Sequence, residues 1–172
     1  AIKKELQQML DKEVWKPVKW QDLTEEERRA ILRTSTFCRD KVGVDGSIGI
    51  FKARFVGGGN GQDKSLYEEE GLSSPTVSTT CLLCVAAIAA HEQREVMTLD
   101  VGGAFLNADM PDTGPKVHVR IDGPAAQILA DMDPTHKAHL DERGTIIVQL
   151  RKALYGTVQA SKLWYQTLSL KL

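Results

Sequence analysis

Apolar and polar positions follow a helical period over the first part of the chain. Over residues 2–14 apolar side chains recur every three or four positions, which predicts an amphipathic helix that ends near Trp15. Thr24 followed by Glu27 matches a capping box, in which each residue satisfies a backbone amide of the other. We therefore expect a second, short helix that starts after Thr24 and ends by Leu32.

Two β-prone segments follow, residues 36–44 and 48–56, and Asp45-Gly46 lies between them. An Asp-Gly pair between such segments favours the tight turn of a β-hairpin. Residues 57–61 consist of glycines and Asn60, which predicts a flexible loop without regular structure. The sequence thus predicts a hairpin that ends in a loop.

The second half of the chain predicts helices and strands in alternation. An apolar stretch that Ser78 or Thr79 can cap predicts a buried helix to about His91. Residues 95–101 alternate as a strand does, with Asp100 on one face. This order predicts a mixed α+β fold. The other predicted elements are strands at 117–121 and 145–150 and helices at 124–132 and 160–172.

The composition is that of an ordinary globular domain. Of the 172 residues, 42% are apolar and 26% are charged, which excludes wholesale disorder, collagen and coiled coil. The apolar run at residues 81–90 has about half the length of a membrane span, so we expect no membrane partner. Three cysteines, an odd number, argue against a disulfide framework. The length suits one domain or an incomplete piece of a larger one, and Ala1 in place of methionine suggests a fragment.

Charge is distributed unevenly along the chain, although the net charge is only −1. Residues 1–64 carry a net charge of +3, residues 65–114 of −7 and residues 115–172 of +3. Basic flanks around an acidic centre suit a site that holds cations between two phosphate-binding surfaces. Solvated charges on helix faces explain the same pattern, and charge alone favours this second interpretation.

Two short motifs have the spacing of redox or metal sites. Cys81-x-x-Cys84 lies in the apolar stretch without a second pair, so we interpret both cysteines as buried small hydrophobic residues. His136-x-x-His139 matches half of a metal site, but Pro134 and polar neighbours favour a helix end or a loop. We base no functional prediction on either motif.

The segment around Asp100 carries the main chemical signal. Residues 99–107 read L-D-V-G-G-A-F-L-N, so an acid ends a predicted strand, two glycines let the chain turn, and Phe105 follows five positions after the acid. A carboxylate beside an exposed main-chain carbonyl offers the hard oxygen ligands that Mg²⁺ prefers. Phosphoryl transfer with two metal ions needs such an anchor. Taken alone, a strand-end Asp is more often a cap or a surface residue.

A second segment changes this balance. Residues 152–165 read K-A-L-Y-G-T-V-Q-A-S-K-L-W-Y, and together with residues 99–107 they resemble the Ty1/copia-type reverse transcriptases of LTR retrotransposons. Upstream, D-G-S at 45–47 with F-K-A-R-F-V at 51–56, and S-S-P-T-V at 73–77, resemble further motifs of that family in the same order. The resemblance covers nearly the whole chain.

This resemblance implies the right-hand polymerase fold, with the N-terminal helices and fingers at about 1–94 and the start of the palm at about 95–172. Asp100 would be the first metal-binding, catalytic aspartate, and the carbonyl of Val101 would be a second ligand of Mg²⁺ or Mn²⁺. Phe105 would lie against the sugar 2′-hydroxyl, where an aromatic side chain favours deoxynucleotides.

The resemblance also implies a set of substrate contacts. On the fingers hairpin, Lys52 or Arg54 would contact the incoming triphosphate and offset its charge, and which of the two does so stays open. The second motif would form the floor of the nucleotide and template site. The residues implied there are Tyr155, Gly156 and Gln159, with Lys162 within reach of a phosphate.

The function that the resemblance implies is metal-dependent nucleotidyl transfer by an RNA-directed DNA polymerase, of which this chain would be a fragment. Its partners would be an RNA or DNA template-primer, dNTPs, and the integrase and RNase H parts of a Pol polyprotein. The expected location is a cytoplasmic virus-like particle, with a nuclear phase. Two alternatives are a non-catalytic nucleic-acid-binding relic of a retroelement and an unrelated α+β domain with chance matches.

Several positions depart from the family pattern. Gly102 and Val158 replace lysines, and residues 57–59 read G-G-G where the family has A-K-G. The family's Y-V-D-D hairpin, which supplies the other catalytic acids, does not occur before Leu172. One carboxylate cannot hold two metal ions, so we expect Mg²⁺ or Mn²⁺ to bind only together with further palm carboxylates. We therefore predict that these 172 residues alone do not polymerise.

Overall fold

The computed structural model describes residues 1–42, 48–67 and 74–172, and this part of the chain has a mixed α+β architecture. Its helices are α1 (Ile2–Asp11), α2 (Glu25–Arg29), α3 (Thr79–His91), α4 (Gly123–Met132), α5 (Pro134–Lys137) and α6 (Ala160–Ser169). Its strands are β1 (Trp15–Pro17), β2 (Leu32–Val42), β3 (Ile48–Gly57), β4 (His118–Ile121) and β5 (Ile146–Leu150). The predicted α+β class is confirmed.

The five strands form one sheet in the order β1-β5-β4-β2-β3. Strand β2 pairs with β3 in antiparallel orientation and with β4 in parallel, while β5 pairs in antiparallel orientation with both β1 and β4. The parallel pairing joins only Leu32 with Val119 and Arg33 with Arg120. Beyond these residues the β2–β3 hairpin pairs only with itself among the described strands, so most of its length is an extension of the sheet.

The hydrophobic core lies between this sheet and helices α1 and α4. Leu6 and Met9 are three positions apart on α1, and both are fully buried there. On β5 every second side chain is buried, which is the pattern of a strand with one face on the core. Full burial of one such large apolar side chain stabilises the fold by about 1.5–3 kcal/mol.

The predicted elements within residues 1–42 and 48–56 form, but α2 ends at Arg29 and β2 already starts at Leu32, four residues before its predicted start. Helix α1 ends at Asp11, earlier than predicted, because Trp15 already belongs to strand β1, which the sequence pattern did not reveal. The capping box forms, since the Glu27 amide donates to Thr24 Oγ1 at 3.2 Å and the Thr24 amide to Glu27 Oε2 at 2.9 Å. The predicted turn at Asp45-Gly46 lies outside the described residues.

The prediction of a flexible, irregular loop at residues 57–61 is wrong. Gly57 is the last residue of β3, residues 59–61 form a 3₁₀ turn, and Gly59 is buried. These glycines lie against the backbone of the segment that contains Tyr155, as described below. Here the absence of side chains permits close backbone packing, where the sequence suggested only freedom of the chain.

Helix α3 forms as predicted, and its N-terminal cap is confirmed, because the Cys81 amide donates to the Ser78 hydroxyl at 3.2 Å. Its predicted burial is wrong. Ala89 is the only buried residue of this fully described helix, Leu83 is 64% exposed, and the pair Cys81 and Cys84, which we interpreted as buried, is exposed. An apolar helix is buried only where another element covers it. None of the described helices of the chain is long and apolar enough to cross a membrane.

The predicted strand at residues 95–101 is also absent. Residues 94–101 have no regular secondary structure, and Met97 and Leu99 are 79% and 80% exposed. The alternating pattern is present in the sequence, but a strand also needs a neighbour to pair its backbone amides and carbonyls. No strand of the described part of the chain pairs with this segment.

The elements after residue 116 match their predictions closely. Strands β4 and β5 and helix α4 form where the pattern placed them, and Pro124 lies in the first turn of α4. Helix α6 starts at Ala160 and ends at Ser169, slightly before the predicted end. Trp164 packs against a small cluster of alanines, whereas Tyr165 is 41% exposed.

Candidate active site

Three side chains from separate elements stack where the β2–β3 hairpin meets the rest of the molecule. The guanidinium carbon of Arg54 lies 5.1 Å from the ring centroid of Tyr155. The centroids of the Tyr155 and Phe105 rings are 4.8 Å apart, with 38° between the ring planes. Both contacts lie within the range in which cation–π and aromatic pairs attract. The structure thus brings together residues of three different sequence motifs in one Arg54–Tyr155–Phe105 stack.

Backbone hydrogen bonds hold Tyr155 against the end of β3. The Gly57 amide donates to the Tyr155 carbonyl at 2.7 Å, and the Gly59 amide donates to the Gly156 carbonyl at 3.1 Å. A Cβ on Gly59 would lie 2.1 Å from the Gly156 carbonyl oxygen, and a Cβ on Gly156 would lie 2.3 Å from that of Gly57. Gly156 also has a φ of 86°, so only glycine fits this joint.

A braced turn positions Phe105. The turn spans Ala104–Asn107 and follows Gly103, whose φ of 62° lies in the left-handed region. The Asn107 side-chain amide donates to the Gly103 carbonyl at 3.1 Å, and the ammonium of Lys12, the residue directly after α1, donates to the Asn107 side-chain oxygen. The turn is therefore fixed to α1, and Phe105 is held by its backbone as well as by stacking.

The same turn is also tied to the segment that carries Tyr155. The Ala153 amide donates to the Ala108 carbonyl at 2.8 Å, and the Lys152 ammonium donates to the Asp109 carboxylate at 2.7 Å. The four residues of these contacts lie within four positions of Phe105 or Tyr155 along the chain. Phe105 and Tyr155 are consequently neighbours because of backbone pairing, independently of the attraction between their rings.

One face of the hairpin is basic and leads to the stack. The β2–β3 register places Phe37 opposite Arg54 and Arg39 opposite Lys52, and these side chains line a cavity of about 520 Å³ together with Asp40. The sequence interpretation named Lys52 and Arg54 but missed Arg39. The hairpin register is the signal that could have identified it, because residues directly opposite on paired strands share a face.

Asp100 lies near the stack but not on a sheet. It is exposed, in the unpaired segment 94–101, and the neighbouring Val101 is 42% exposed. Burial raises the pKa of the Tyr155 phenol, the Arg54 guanidinium opposes this rise, and the carboxylates of Glu5 and Asp100 add to it. The Asp100 carboxylate is the weakest of these influences on the pKa of Tyr155.

The oxygen donors at Asp100 and Val101 are of the kind that Mg²⁺ prefers, but they are few. Within the described ranges no group of three or more His, Cys, Asp or Glu side chains lies close enough to hold a metal ion. A carboxylate and one carbonyl do not complete the coordination of a divalent cation. The described residues therefore do not form a metal site by themselves.

The other predicted contact residues lie in packed surroundings. Gln159 is buried, and its side-chain oxygen accepts a hydrogen bond from the Gln62 amide at 3.1 Å. Gln62 also accepts a hydrogen bond from the Val158 amide at 2.8 Å, so Gln159 belongs to an internal polar network. Lys162 lies half-buried on α6. The structure thus groups Arg54, Tyr155 and Phe105 with Lys52 and Asp100 near them, and it places Gln159 in the interior.

The histidine motif is a structural feature of a helix end. His136 is buried, the Trp15 indole donates to its Nε2 at 3.0 Å, and its Nδ1 contacts the Asp133 carboxylate. His139 bonds instead to the Thr135 carbonyl at 2.8 Å. The two imidazoles therefore have separate partners, and the preferred interpretation of this motif as a helix end is confirmed.

In the described part of the chain, residues of three sequence motifs thus meet at one site of a mixed α+β domain. The model of the reverse transcriptase (RNA-dependent DNA polymerase) family matches residues 12–172, and the chain belongs to this family. No solved structure matches the chain.

Curated relatives come from yeast retrotransposons. The chain is 28% identical over 168 residues to the Transposon Ty1-BL Gag-Pol polyprotein of Saccharomyces cerevisiae, which covers 98% of this chain and 8% of that polyprotein. It is 26% identical to the Truncated transposon Ty1-A Gag-Pol polyprotein of the same organism, with 98% and 12% covered. The predicted Ty1/copia type of reverse transcriptase is confirmed. The chain spans about 8% of the length of the Ty1-BL relative.

Proposed function

We propose that this chain supplies the fingers (about 1–94) and the start of the palm (about 95–172) of an RNA-directed DNA polymerase in a retrotransposon Pol polyprotein. The observation that supports this proposal is the basic face of the hairpin, which leads directly to the Arg54–Tyr155–Phe105 stack. The substrates of the whole polymerase are then dNTPs and an RNA or DNA template-primer.

In this proposal the hairpin cations bind the triphosphate of the incoming nucleotide. Arg39, Lys52 and Arg54 share one face of the hairpin, so their positive charges lie around one cavity. A triphosphate carries several negative charges, and charge-assisted hydrogen bonds to such groups are about twice as strong as neutral ones. Arg54 is the better candidate for the fixed contact, because its guanidinium is held by the Tyr155 ring.

Phe105 is the proposed wall against the sugar. Its turn is braced by Asn107 and Lys12, so the ring is fixed in space and resists displacement by a 2′-hydroxyl. A rigid ring discriminates by a steric clash with the unwanted sugar. We therefore assign deoxynucleotide preference to Phe105.

For the metal, we assign ligand atoms but no reaction step. Asp100 and the Val101 carbonyl would contribute two oxygen ligands, and further carboxylates of the polymerase would complete the site. Mg²⁺ or Mn²⁺ held there would supply neutralisation of phosphate charge during nucleotidyl transfer. What the described residues do themselves is bind and orient the nucleotide.

The proposed partners follow from the relatives. These are Gag-Pol polyproteins, so we place this chain beside the integrase and RNase H parts of one Pol polyprotein. We propose a cytoplasmic virus-like particle as its site of action, followed by a nuclear phase. Binding to a template-primer should rest on phosphate contacts and weaken as salt is raised.

The proposal is tested by titrating Mg²⁺–dATP into the chain and following binding by calorimetry. Lys52→Glu and Arg54→Glu should each weaken binding about tenfold or more, because each replaces an attraction to phosphate by a repulsion. The matched control is Lys137→Glu on α5, an exposed lysine on a helix that packs against α4, which should stay within about twofold of the unchanged chain. Equal weakening by all three variants would contradict a specific site.

A primer-extension assay completes the test. On an RNA template with Mg²⁺ or Mn²⁺, we expect no extension by these 172 residues alone. Robust extension would contradict our view that further carboxylates are required. Salt-dependent binding of template-primer without any binding of dATP would instead support the alternative, a non-catalytic nucleic-acid-binding relic.

A further inference from the structure

Tyr155 is the middle layer of the Arg54–Tyr155–Phe105 stack. Its ring lies 5.1 Å from the Arg54 guanidinium carbon and 4.8 Å from the centroid of the Phe105 ring. In the proposed function the two outer layers contact different parts of one nucleotide, the triphosphate and the sugar. The ring between them has no such assigned contact of its own, yet it touches both.

We infer that Tyr155 is a positioning residue that couples triphosphate binding to sugar selection, by holding Arg54 and Phe105 in one stack. This inference rests on the proposed function, because it concerns the same site. It assigns to Tyr155 an action through its two neighbours instead of a direct contact with the nucleotide.

The Arg54 guanidinium lies over an aromatic ring. In the described part of the chain Arg54 takes part in none of the salt bridges, and the Tyr155 ring is the partner that restrains its guanidinium. A carboxylate partner would hold the guanidinium but would also neutralise it. An aromatic face holds the cation in place and leaves its charge for a phosphate.

Packing restrains the Phe105 ring. Phe105 packs against a small cluster of buried alanines, Ala108, Ala153 and Ala160. Its ring also stacks on the ring of Tyr155. Without the aromatic ring at position 155, Phe105 gains room to rotate. It then excludes a sugar 2′-hydroxyl less strictly.

Tyr155 is itself held in place, through its main chain and its ring. Its carbonyl accepts the hydrogen bond from Gly57 at 2.7 Å, and its ring is half-buried. The backbone joint thus fixes the Tyr155 main chain to the end of the strand that carries Arg54. A ring fixed in this way can transmit the position of one outer layer to the other.

The experiment measures binding of tripolyphosphate, dATP and ATP, each with Mg²⁺, to the full 172-residue chain by calorimetry. Tyr155→Leu should weaken tripolyphosphate binding about fivefold, the size of one cation–π contact, and should lower the preference for dATP over ATP. Tyr155→Phe keeps the ring and should restore both values to within about twofold. Tyr155→Met, whose side chain has nearly the volume of leucine but is unbranched and flexible, is the second truncation and should behave as Tyr155→Leu does.

A double variant separates positioning from general damage. In an Arg54→Ala background, Tyr155→Leu should cause no further loss of tripolyphosphate affinity, because the guanidinium that it positions is gone. A further loss of similar size would mean that the residue acts only through packing, and this would overturn the inference. In the unchanged chain, the Arg54 side-chain protons should show upfield NMR shifts from the Tyr155 ring, and their absence would also overturn it.

Failure of the inference and failure of the proposed function give different results. If the unchanged chain binds neither tripolyphosphate nor dATP, or if Arg54→Ala binds tripolyphosphate as tightly as the unchanged chain, the proposed function fails and the inference fails with it. If Arg54→Ala loses triphosphate affinity and Phe105→Ala loses sugar preference while Tyr155→Leu changes neither, only the coupling is wrong.

Discussion

The packed sheet and residues 79–101 carry equally clear apolar patterns but have opposite surroundings. On β5 the alternating residues Ile146, Val148 and Leu150 are buried. In α3 and the segment after it, large apolar side chains such as Leu83 and Leu99 are exposed at 64% and 80%. The difference shows that a pattern defines which face needs burial, whereas burial itself depends on a partner element.

Different interactions stabilise the two regions. Helices α1 and α4 are held by burial of side chains against the sheet. Residues 79–101 contribute only Ala89 to the buried apolar residues, so their conformation rests on local hydrogen bonds. Local interactions of this kind are worth about 1 kcal/mol each, less than the burial of one large side chain.

The largest expected effect comes from equal truncations in the two regions. Leu154 is fully buried in the core and Leu83 is 64% exposed on α3. Leu154→Ala should lower the free energy of unfolding by about 2–5 kcal/mol, because it leaves a cavity, whereas Leu83→Ala should change it by less than about 0.5 kcal/mol. Urea denaturation measures both. A similar loss in the two variants would show that α3 is covered in solution and would break the comparison.

The glycine joint provides the next effect. Gly156→Ala should lower the free energy of unfolding by about 3 kcal/mol or more, because the residue has a φ of 86° and its Cβ would meet the Gly57 carbonyl oxygen at 2.3 Å. Gly114 has a similar φ of 97° but open space around it, so Gly114→Ala isolates the conformational cost, about 1–3 kcal/mol. Thermal and urea unfolding of both variants give the comparison. Equal losses would mean that the close approach does not exist.

The packed sheet also predicts a pH dependence of stability, through a buried histidine. Burial lowers the pKa of His118 on β4 below its usual 6.5, Glu27 opposes this shift, and Lys116 and Lys16 add to it. In the unfolded chain His118 takes up its proton at about pH 6.5, and the folded chain does so only at lower pH. The unfolded state therefore binds more protons in that window, and stability falls as the pH falls through it.

Replacement of His118 should remove this contribution. His118→Gln should show a smaller loss of stability than the unchanged chain when urea unfolding is compared between about pH 8 and pH 5. At pH 8, where the imidazole is neutral in both states, the pKa shift contributes nothing to the difference between the two proteins. Parallel pH profiles would show that another group causes the loss.

The fold could be predicted where local signals and partners coincide. Some elements are specified by residues that are close together in the sequence, and these elements form. They are the capping box at Thr24, the hairpin strands and strand β5. The strand predicted at residues 95–101 depends on a neighbour that the pattern of the segment itself does not specify. This segment has the alternating pattern of a strand, but it does not form one because no strand in the described part of the chain pairs with it.

The candidate site shows the same division. Arg54, Phe105 and Tyr155 could be named from three motifs, but their stacking depends on contacts between residues 50 or more positions apart along the chain. Arg39 was missed because its significance follows from the hairpin register alone. The role of residues 57–59 was misjudged because glycine looks the same in a sequence whether it provides freedom or close approach.

The smallest expected effect tests whether α3 is held by local contacts. Ser78 caps this helix by accepting a hydrogen bond from the Cys81 amide at 3.2 Å. Ser78→Ala should cost the helix about 1 kcal/mol, which corresponds to about fivefold faster amide exchange in its first turn. The free energy of global unfolding should stay unchanged, because α3 shares few contacts with the core.

Thr76→Ala, two residues before the cap and exposed, is the matched control and should leave amide exchange in α3 unchanged. Hydrogen exchange followed by NMR resolves both variants residue by residue. If Ser78→Ala also lowers the free energy of global unfolding by about 1 kcal/mol, α3 unfolds together with the sheet. The two regions would then form one cooperative unit, in spite of their different burial.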